Sequence, residues 1–238
     1  MKLKMRYVRA ADIRRACLMV VLAGLVAGCA PRISPQAAVE QAPADFPATY
    51  YRQAEALGRK VLRVDPDRSL VVIDVRSGGP LARLGHDHVV ASHDVRGYVD
   101  MAGGRADLYV PLDRLAVDEP WLRSEAGLTQ LSKEAVESTR HNMLEKVIDS
   151  RRFPFALILV TRAVADRSKL IVTITLHGTM HAFEIPAQIE TLPGGIVISG
   201  FMMFNQTDFG IIPFSVLGGA LQVRDRLDLR FRILAKGH

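Results

Sequence analysis

The side chains best suited to chemistry are histidines. His86-Asp87-His88 would put two imidazoles on one side of a strand and a carboxylate on the other. His-x-His is a metal-ligand spacing, and His93 or His141 could add a third nitrogen. No HExxH helix accompanies the pair, and no cysteine or other close His/Asp/Glu cluster has ligand spacing. A polar pocket rim, or a packed and hydrogen-bonded imidazole, is the competing reading. A metal on His86 and His88, as binding site or metalloenzyme, therefore stands as the alternative. Nucleophilic chemistry finds less support, because no Gly-x-Ser-x-Gly elbow is present. Asp208-Phe209-Gly210 has the letters of a kinase tripeptide, without a glycine-rich phosphate loop or a catalytic-loop Asp-x-x-x-x-Asn. Asp208 then reads as an acceptor of backbone N–H groups where a strand turns, with Gly210 relieving the sterics.

The elements that position these residues have period two. Val71, Ile73 and Val75 alternate with polar or outward positions, as do Val95, Gly97, Val99 and Met101. The same holds for Leu108-Val110-Leu112, Leu170-Val172-Ile174-Leu176, Phe183-Ile185-Ala187-Ile189 and Leu227-Leu229-Phe231-Ile233. This is sheet with one apolar and one wet face. Gly78-Gly79-Pro80, Gly103-Gly104, Asp166-Arg167-Ser168, Pro193-Gly194-Gly195 and Gly218-Gly219 separate the runs. Ser132 to Ile148 departs from this, with Ala135, Thr139, Met143 and Val147 at helical spacing. Ser132 suits a helix start, although Ala135 stands where a capping box needs Glu or Gln. Hairpin order disfavours a parallel sheet. The expectation is an all-β fold of about eight antiparallel strands with one inserted helix, over residues 132–148, closing into an up-and-down barrel with its apolar face inside. The stripe Ile196, Ile198, Gly200, Met202, Phe204 fits either a filled core or an adaptable lipid wall, since Met fills irregular space and Gly leaves room.

The 238 residues are 49% hydrophobic and 24% charged, which excludes a disordered chain, and two cysteines exclude a disulfide scaffold or a four-thiolate zinc module. The formal charge of +6 is uneven. Residues 1–28 hold six basic residues against the single acid Asp12, so the rest of the chain is nearly neutral and no nucleic-acid partner is expected. Behind this basic stretch, Ala16 to Gly28 is a 13-residue apolar run, shorter than a membrane span. It ends in Val26-Ala27-Gly28-Cys29, which resembles the lipobox of bacterial lipoproteins. That resemblance implies a signal peptide over 1–28, acylation of Cys29 as a lipid anchor and a periplasm-facing place in the cell envelope. Ala30 rather than Asp after the cysteine favours the outer membrane over the inner. Residues 29–60 then comprise the lipidated cysteine, a Pro/Ala/Gln-rich tether and a short helix near Tyr50 to Leu57, with the barrel domain over 61–238.

Several short motifs in order carry a wider resemblance. They are Leu84-Gly85-His86-Asp87-His88, Arg140-His141-Asn142-Met143-Leu144 followed by Arg152-Phe153-Pro154, and Leu176-His177-Gly178-Thr179. Gln206-Thr207-Asp208-Phe209-Gly210-Ile211 and Gly219-Ala220-Leu221-Gln222-Val223-Arg224-Asp225 continue the series. Over roughly 62–236 the chain resembles the YceI-like periplasmic polyisoprenoid-binding proteins. The resemblance implies a lipocalin-like eight-stranded barrel that binds a long isoprenoid or similar amphiphile without catalysis, tail inward and head at the mouth. No cofactor is implied beyond that lipid. It offers His86, His88, Arg140, His141, His177 and Asp208 for the polar head, Arg140 suiting a phosphate through its planar fork. Val110, Leu157, Ile174, Ile185, Ile198, Met202, Phe204 and Phe231 would line the tail. A structural envelope lipoprotein with a filled barrel is a further alternative.

Overall fold

The computed structural model describes residues 42–162 and 169–237. The expected leader, Cys29, most of the tether, the Asp166-Arg167-Ser168 turn and His238 lie outside them. The compact unit starts at Ala42, ahead of the sequence-based boundary at 61. No described helix is long and apolar enough to cross a membrane.

Eight staves close an antiparallel barrel, three of them interrupted. The first stave is β1 (Val61–Val64) and β2 (Leu70–Val75), joined through a single turn over 66–68. After β3 (Ser77–Gly78) the second is β4 (His88–Ser92) with β5 (Arg96–Asp100), and the third is β6 (Arg105–Pro111) with β7 (Ala116–Val117). β8 (Phe155–Arg162), β9 (Lys169–Leu176), β10 (Thr179–Leu192), β11 (Gly195–Asn205) and, after β12 (Ser215–Val216) and β13 (Leu221–Val223), β14 (Arg226–Lys236) complete the ring. The order is β1-β5-β6-β8-β9-β10-β11-β14, and β14 closes onto β1 at Val64↔Ala235 and onto β2 at Phe231↔Val71. Breaking a stave lets the ladder shift without losing closure, as a bulge does. β12, β13 and β3 form a separate small sheet beside β2.

The alternation read from the sequence is the inward alternation of the barrel. Val71, Ile73, Val75, Leu108, Ile174, Leu229 and Phe231 all belong to or pack on one core inside the ring. The expected uniformly wet exterior needs correction. Helix α1 (Ala48–Ala56) lies on the outer face of β5 and β6, with Tyr51 and Ala54 buried and Phe46 4.9 Å from the Tyr109 ring. Helix α2 (Pro120–Glu125), which has no counterpart in the sequence reading, buries Leu122 against Val72, Val89 and Ala91. Helix α3 (Lys133–Asn142) starts where expected. The Ser132 Oγ accepts the Ala135 N–H at 3.2 Å, a cap without the reciprocal arm of a box. A π-helical turn (Met143–Val147) follows it, inside the expected 132–148 span.

Candidate functional site

The barrel is hollow. A cavity of about 350 Å³ runs through the ring. Its wall is almost wholly aliphatic and aromatic, drawn from the inward positions of all eight staves. At one end the wall stops at Val99, Ala106, Leu170 and Ile233. Beyond them Leu62, Val64, Ile196 and Ala235 are buried core that does not line the space. The opposite end is covered by Thr139, Asn142 and Met143 of α3 and its π-turn, and by the segment from Gln206 to Phe214.

Five lining residues are polar: His88, Ser92, Thr139, Asn142 and Gln206. Register places His88 and Gln206 at the same end. His88 is opposite Val75, whose neighbour Asp74 is opposite Asp228, and Asp228 is opposite Met203, three residues before Gln206. With Thr139 and Asn142 above them, four of the five polar groups crown the helix-covered end. The Gln206 Nε2 donates to the Arg224 carbonyl at 2.9 Å, which fixes the amide's orientation. No lysine or arginine lines the cavity among the described residues.

His88 is held from behind. Its Nδ1 lies 2.6 Å from Asp118 Oδ2, while Asp118 Oδ1 accepts the Val89 N–H at 3.0 Å and Arg123 Nη1 at 2.6 Å. Arg123 is itself buried and also donates to the Thr129 and Asp87 carbonyls. Burial would raise the Asp118 carboxyl, but the hydrogen bonds from His88, Val89 and Arg123, with the electrostatic attraction of His88, outweigh it and hold the group below the usual carboxylate value. A buried ion pair beneath α2 thus sets the orientation of one imidazole at the lumen's edge.

His88 and Val75 also border a second cavity, of about 340 Å³, outside the ring between β2, β4 and α2, with Asp74, Arg76, Asp87, Glu125 and Arg230 around it. Asp87 faces away from the lumen and accepts the Ser77 N–H at 2.8 Å and its hydroxyl at 2.9 Å. Its burial is outweighed by those bonds and by the charges of Arg76 and Arg224, so its carboxyl is lowered.

Of the six polar-head residues suggested by the resemblance, the structure brings one, His88, to the lumen. His86 is exposed ahead of β4 and does not share its face, so the two imidazoles do not converge. Arg140 does not line the cavity. Its Nε donates to the Leu115 carbonyl at 3.0 Å and its Nη2 to the Asp113 carbonyl, fastening α3 to the loop before β7. His141 is exposed on α3. His177 sits in the β9–β10 turn at φ 52°, 4.6 Å from the Phe153 ring. Asp208 accepts the Asn205 N–H at 2.9 Å where β11 ends, and Gly210 follows at φ 68°, the turn role read from the sequence. His93 pairs with Glu119 at 2.7 Å. Among the described residues no three His, Cys, Asp or Glu side chains cluster as metal ligands.

Seven of the eight expected tail residues line the cavity: Val110, Ile174, Ile185, Ile198, Met202, Phe204 and Phe231. Leu157 does not. It pairs with Tyr109 and Thr175 on the outer face, and its neighbours Ala156 and Ile158 point inward. Phe155 to Val160 is apolar at every position, so alternation there gives no parity. The sequence does not place Ser92, Thr139, Asn142 or Gln206 at the cavity, since single uncharged amides and hydroxyls carry no spacing signal. The helical face Thr139, Asn142, Met143 could have found Asn142.

Neither a protein-family model nor a curated protein sequence matches the chain. Solved structures do match in fold. A polyisoprenoid-binding domain from Saccharophagus degradans, implicated in plant cell wall breakdown, superposes with a TM-score of 0.54 at 10% identity, over 74% of this chain and 98% of that one. BcnA of Burkholderia cenocepacia superposes with a TM-score of 0.50 at 15% identity, over 73% and 99%. A YceI protein of Campylobacter jejuni aligns over 61% and 82%, at 13% identity and a TM-score of 0.42. The closed, eight-stranded, lipocalin-like barrel is the fold the first two share with this chain.

Proposed function

We propose that the barrel binds one amphiphilic lipid without transforming it, the apolar tail in the lumen and an uncharged polar head beside His88, Thr139, Asn142 and Gln206. The observation that carries this is the asymmetry of the cavity: an apolar tube with four of its five polar groups gathered at one end. Burying apolar surface contributes about 25 cal/mol per Å², less the cost of immobilising the guest. The absence of lysine and arginine from the described lining, with the Arg140 guanidinium committed to two carbonyls, favours an amide, hydroxyl or carbonyl head over a phosphate. The polyisoprenoid-binding domain that shares the fold supports a lipid guest. Non-catalytic binding is supported by the lumen's chemistry, in which the imidazole at its edge faces aliphatic side chains and neutral amides.

Cys29 belongs to the same proposal. An acylated cysteine at the end of the tether would keep the barrel beside a membrane that is the source or acceptor of the guest, in the cell envelope and at the outer membrane in preference to the inner. Organic extraction of the purified chain, with mass identification of what is released, tests the binding reading. A stoichiometric amphiphile with an uncharged head is expected, and repeated recovery of a lipid-free protein that takes up no added amphiphile would reject it.

A further inference from the structure

The connections at the polar end of the barrel carry apolar side chains on their outside. Among the described residues the five most exposed large apolar side chains are Ile212, Leu57, Leu217, Met180 and Leu84, from 84% down to 64% exposed. Leu57 closes α1 two residues before Arg59, which pairs with Asp100 at the far end of the barrel. The other four stand around the polar end: Leu84 between β3 and β4, Met180 at the start of β10, and Ile212 and Leu217 between β11 and β13. Contacts join these connections in turn. The rings of His177 and Phe153 are 4.6 Å apart, and those of His181 and Phe209 6.1 Å. The Val223 N–H donates to the Phe214 carbonyl at 2.8 Å, and the Leu81 N–H to the Ala220 carbonyl at 2.8 Å. The four side chains therefore stand on one continuous rim.

Two arginines share this rim. Arg83, beside Leu84, and Arg152, whose guanidinium lies 5.0 Å over the Phe153 ring, are both exposed, and neither pairs with a carboxylate among the described residues. The neighbouring acids are taken up by backbone. Asp87 accepts the Ser77 N–H, Asp208 the Asn205 N–H and Asp225 the Thr207 N–H. A single exposed leucine needs no explanation. A rim of apolar tips interleaved with unpaired arginines has the chemistry of a surface that enters a headgroup layer.

Two observations favour a bilayer over a protein as the occupant. The segment that covers the lumen is apolar on both sides: Ile211 and Phe214 line the cavity, and Ile212 between them is turned outward. A guest that passes this cover meets the rim next. The second observation is where the preceding chain arrives. Phe46 packs on Tyr109, two residues from the polar end of β6, and α1 then runs to Tyr50, which donates to Asp100 at the other end. The chain thus enters α1 from the half of the barrel nearer the rim. Residues 30–45 reach about 55 Å at full extension, so an anchor at Cys29 leaves the rim free to meet the same membrane.

We propose that the barrel docks by this end on an anionic phospholipid surface, with Leu84, Met180, Ile212 and Leu217 in the boundary between headgroups and acyl chains and Arg83 and Arg152 on lipid phosphates. The choice of a membrane rests on the lipid-binding reading. The rim itself does not.

Hydrogen exchange of the full chain carrying Cys29→Ala, which has no acyl anchor, tests this with two kinds of vesicle. One is phosphatidylethanolamine with about a quarter phosphatidylglycerol, the other phosphatidylcholine alone. On the anionic vesicles, exchange should slow over residues 81–86, 177–182 and 210–218 and stay unchanged in the hairpin over 101–104. The lipid concentration giving half of this protection should rise about tenfold in Ile212→Ser and in Leu217→Ser, the change that corresponds to burying most of one such side chain. It should rise about fivefold in Arg83→Gln and in Arg152→Gln, which corresponds to about 1 kcal/mol per cation at an anionic surface. The arginine effect should vanish in high salt. Vesicle-bound protein whose rim exchanges as fast as in the free chain overturns the proposal, as does failure to associate with the anionic vesicles. Equal protection on phosphatidylcholine overturns the role of the arginines. Rim protection that appears without vesicles and grows with protein concentration assigns the face to a second copy of the chain and overturns docking. An amphiphile recovered by organic extraction alongside any of these results leaves lipid binding standing, and a lipid-free lumen in a barrel that docks rejects lipid binding alone.

Discussion

Nδ1 of His88 and Oδ2 of Asp118 are 2.6 Å apart, with the imidazole at the edge of an apolar lumen and the carboxylate fully buried behind it. The contact joins the inner wall of the barrel to the helix on its outside, since Asp118 also pairs with Arg123 of α2. Asp118 adopts φ 56°, a conformation its short polar side chain tolerates, and that turn brings the carboxylate under β4.

Removing the two partners should have unequal effects. Without His88, Asp118 keeps Arg123 and the Val89 N–H, so His88→Ala should cost about 1.5–3 kcal/mol, the range for a hydrogen bond to a charged group. Without Asp118, Arg123 is left as a buried cation bonded only to carbonyls, and Asp118→Ala should cost about 3–5 kcal/mol. Urea unfolding of the two variants checks the order. Equal losses would show that the ion pair does not carry the stability assigned to it.

Acid should weaken the fold through several carboxylates at once. Asp118 and Asp87 are lowered as described, and Asp100 is lowered because the Gly103 N–H, the Tyr50 hydroxyl and the Arg59 charge outweigh its burial. Asp65 is lowered chiefly by its hydrogen bond from Lys236. A carboxyl whose folded-state pKa lies below its unfolded value of about 3.9 stabilises the fold fully above about pH 5. Below that the unfolded chain takes up protons first, and the contribution disappears as the pH falls through the folded value. The denaturation midpoint should hold from pH 7 to 5 and then fall steeply towards pH 3, with a shallower fall in Asp100→Asn. A midpoint that stays level or rises over that range would contradict these pairings.

The barrel itself was legible because one physical rule governs it. Ile174, Ile198, Met202, Phe204 and Phe231 face inward for the same reason that they alternate with Thr173, Ser199, Met203, Asn205 and Arg230. The rule fails where both faces are apolar. Leu157 lies outside on a stave whose neighbouring positions are all hydrophobic, and Val72 and Val89 lie outside because α2 covers them. The site was less legible, since polar residues are placed by what they bond to rather than by period. His88 reaches the lumen because β4 begins there. His86, two residues earlier, is exposed before the strand starts and loses the shared face that His-x-His would have in extended chain. Arg140 had the chemistry for an anion, but its guanidinium is taken up by the Asp113 and Leu115 carbonyls after β6.

The segment ahead of β1 should prove part of the folding unit. Tyr51 is 1% exposed and donates its hydroxyl to Asp107 at 2.5 Å; burial first, then this bond to the carboxylate, pushes its phenol well above the usual range. The Tyr50 hydroxyl donates to Asp100 at 2.8 Å, and Arg59 pairs with the same carboxylate at 2.8 Å. A chain beginning at residue 61 would expose Val61, Tyr98 and Tyr109 and leave Asp100 without two of its partners and Asp107 without its tyrosine. Arg105 would remain on Asp107 through two bonds, at 2.6 and 2.9 Å. The expected order of melting temperature is therefore the chain from residue 42 first, the same chain with Tyr51→Phe next, lower by about 1–3 kcal/mol of stability for an unmet buried carboxylate contact, and the chain from residue 61 last. If the chains from 42 and 61 melt together, α1 is an appendage and the burial of Tyr51 contributes nothing to the barrel.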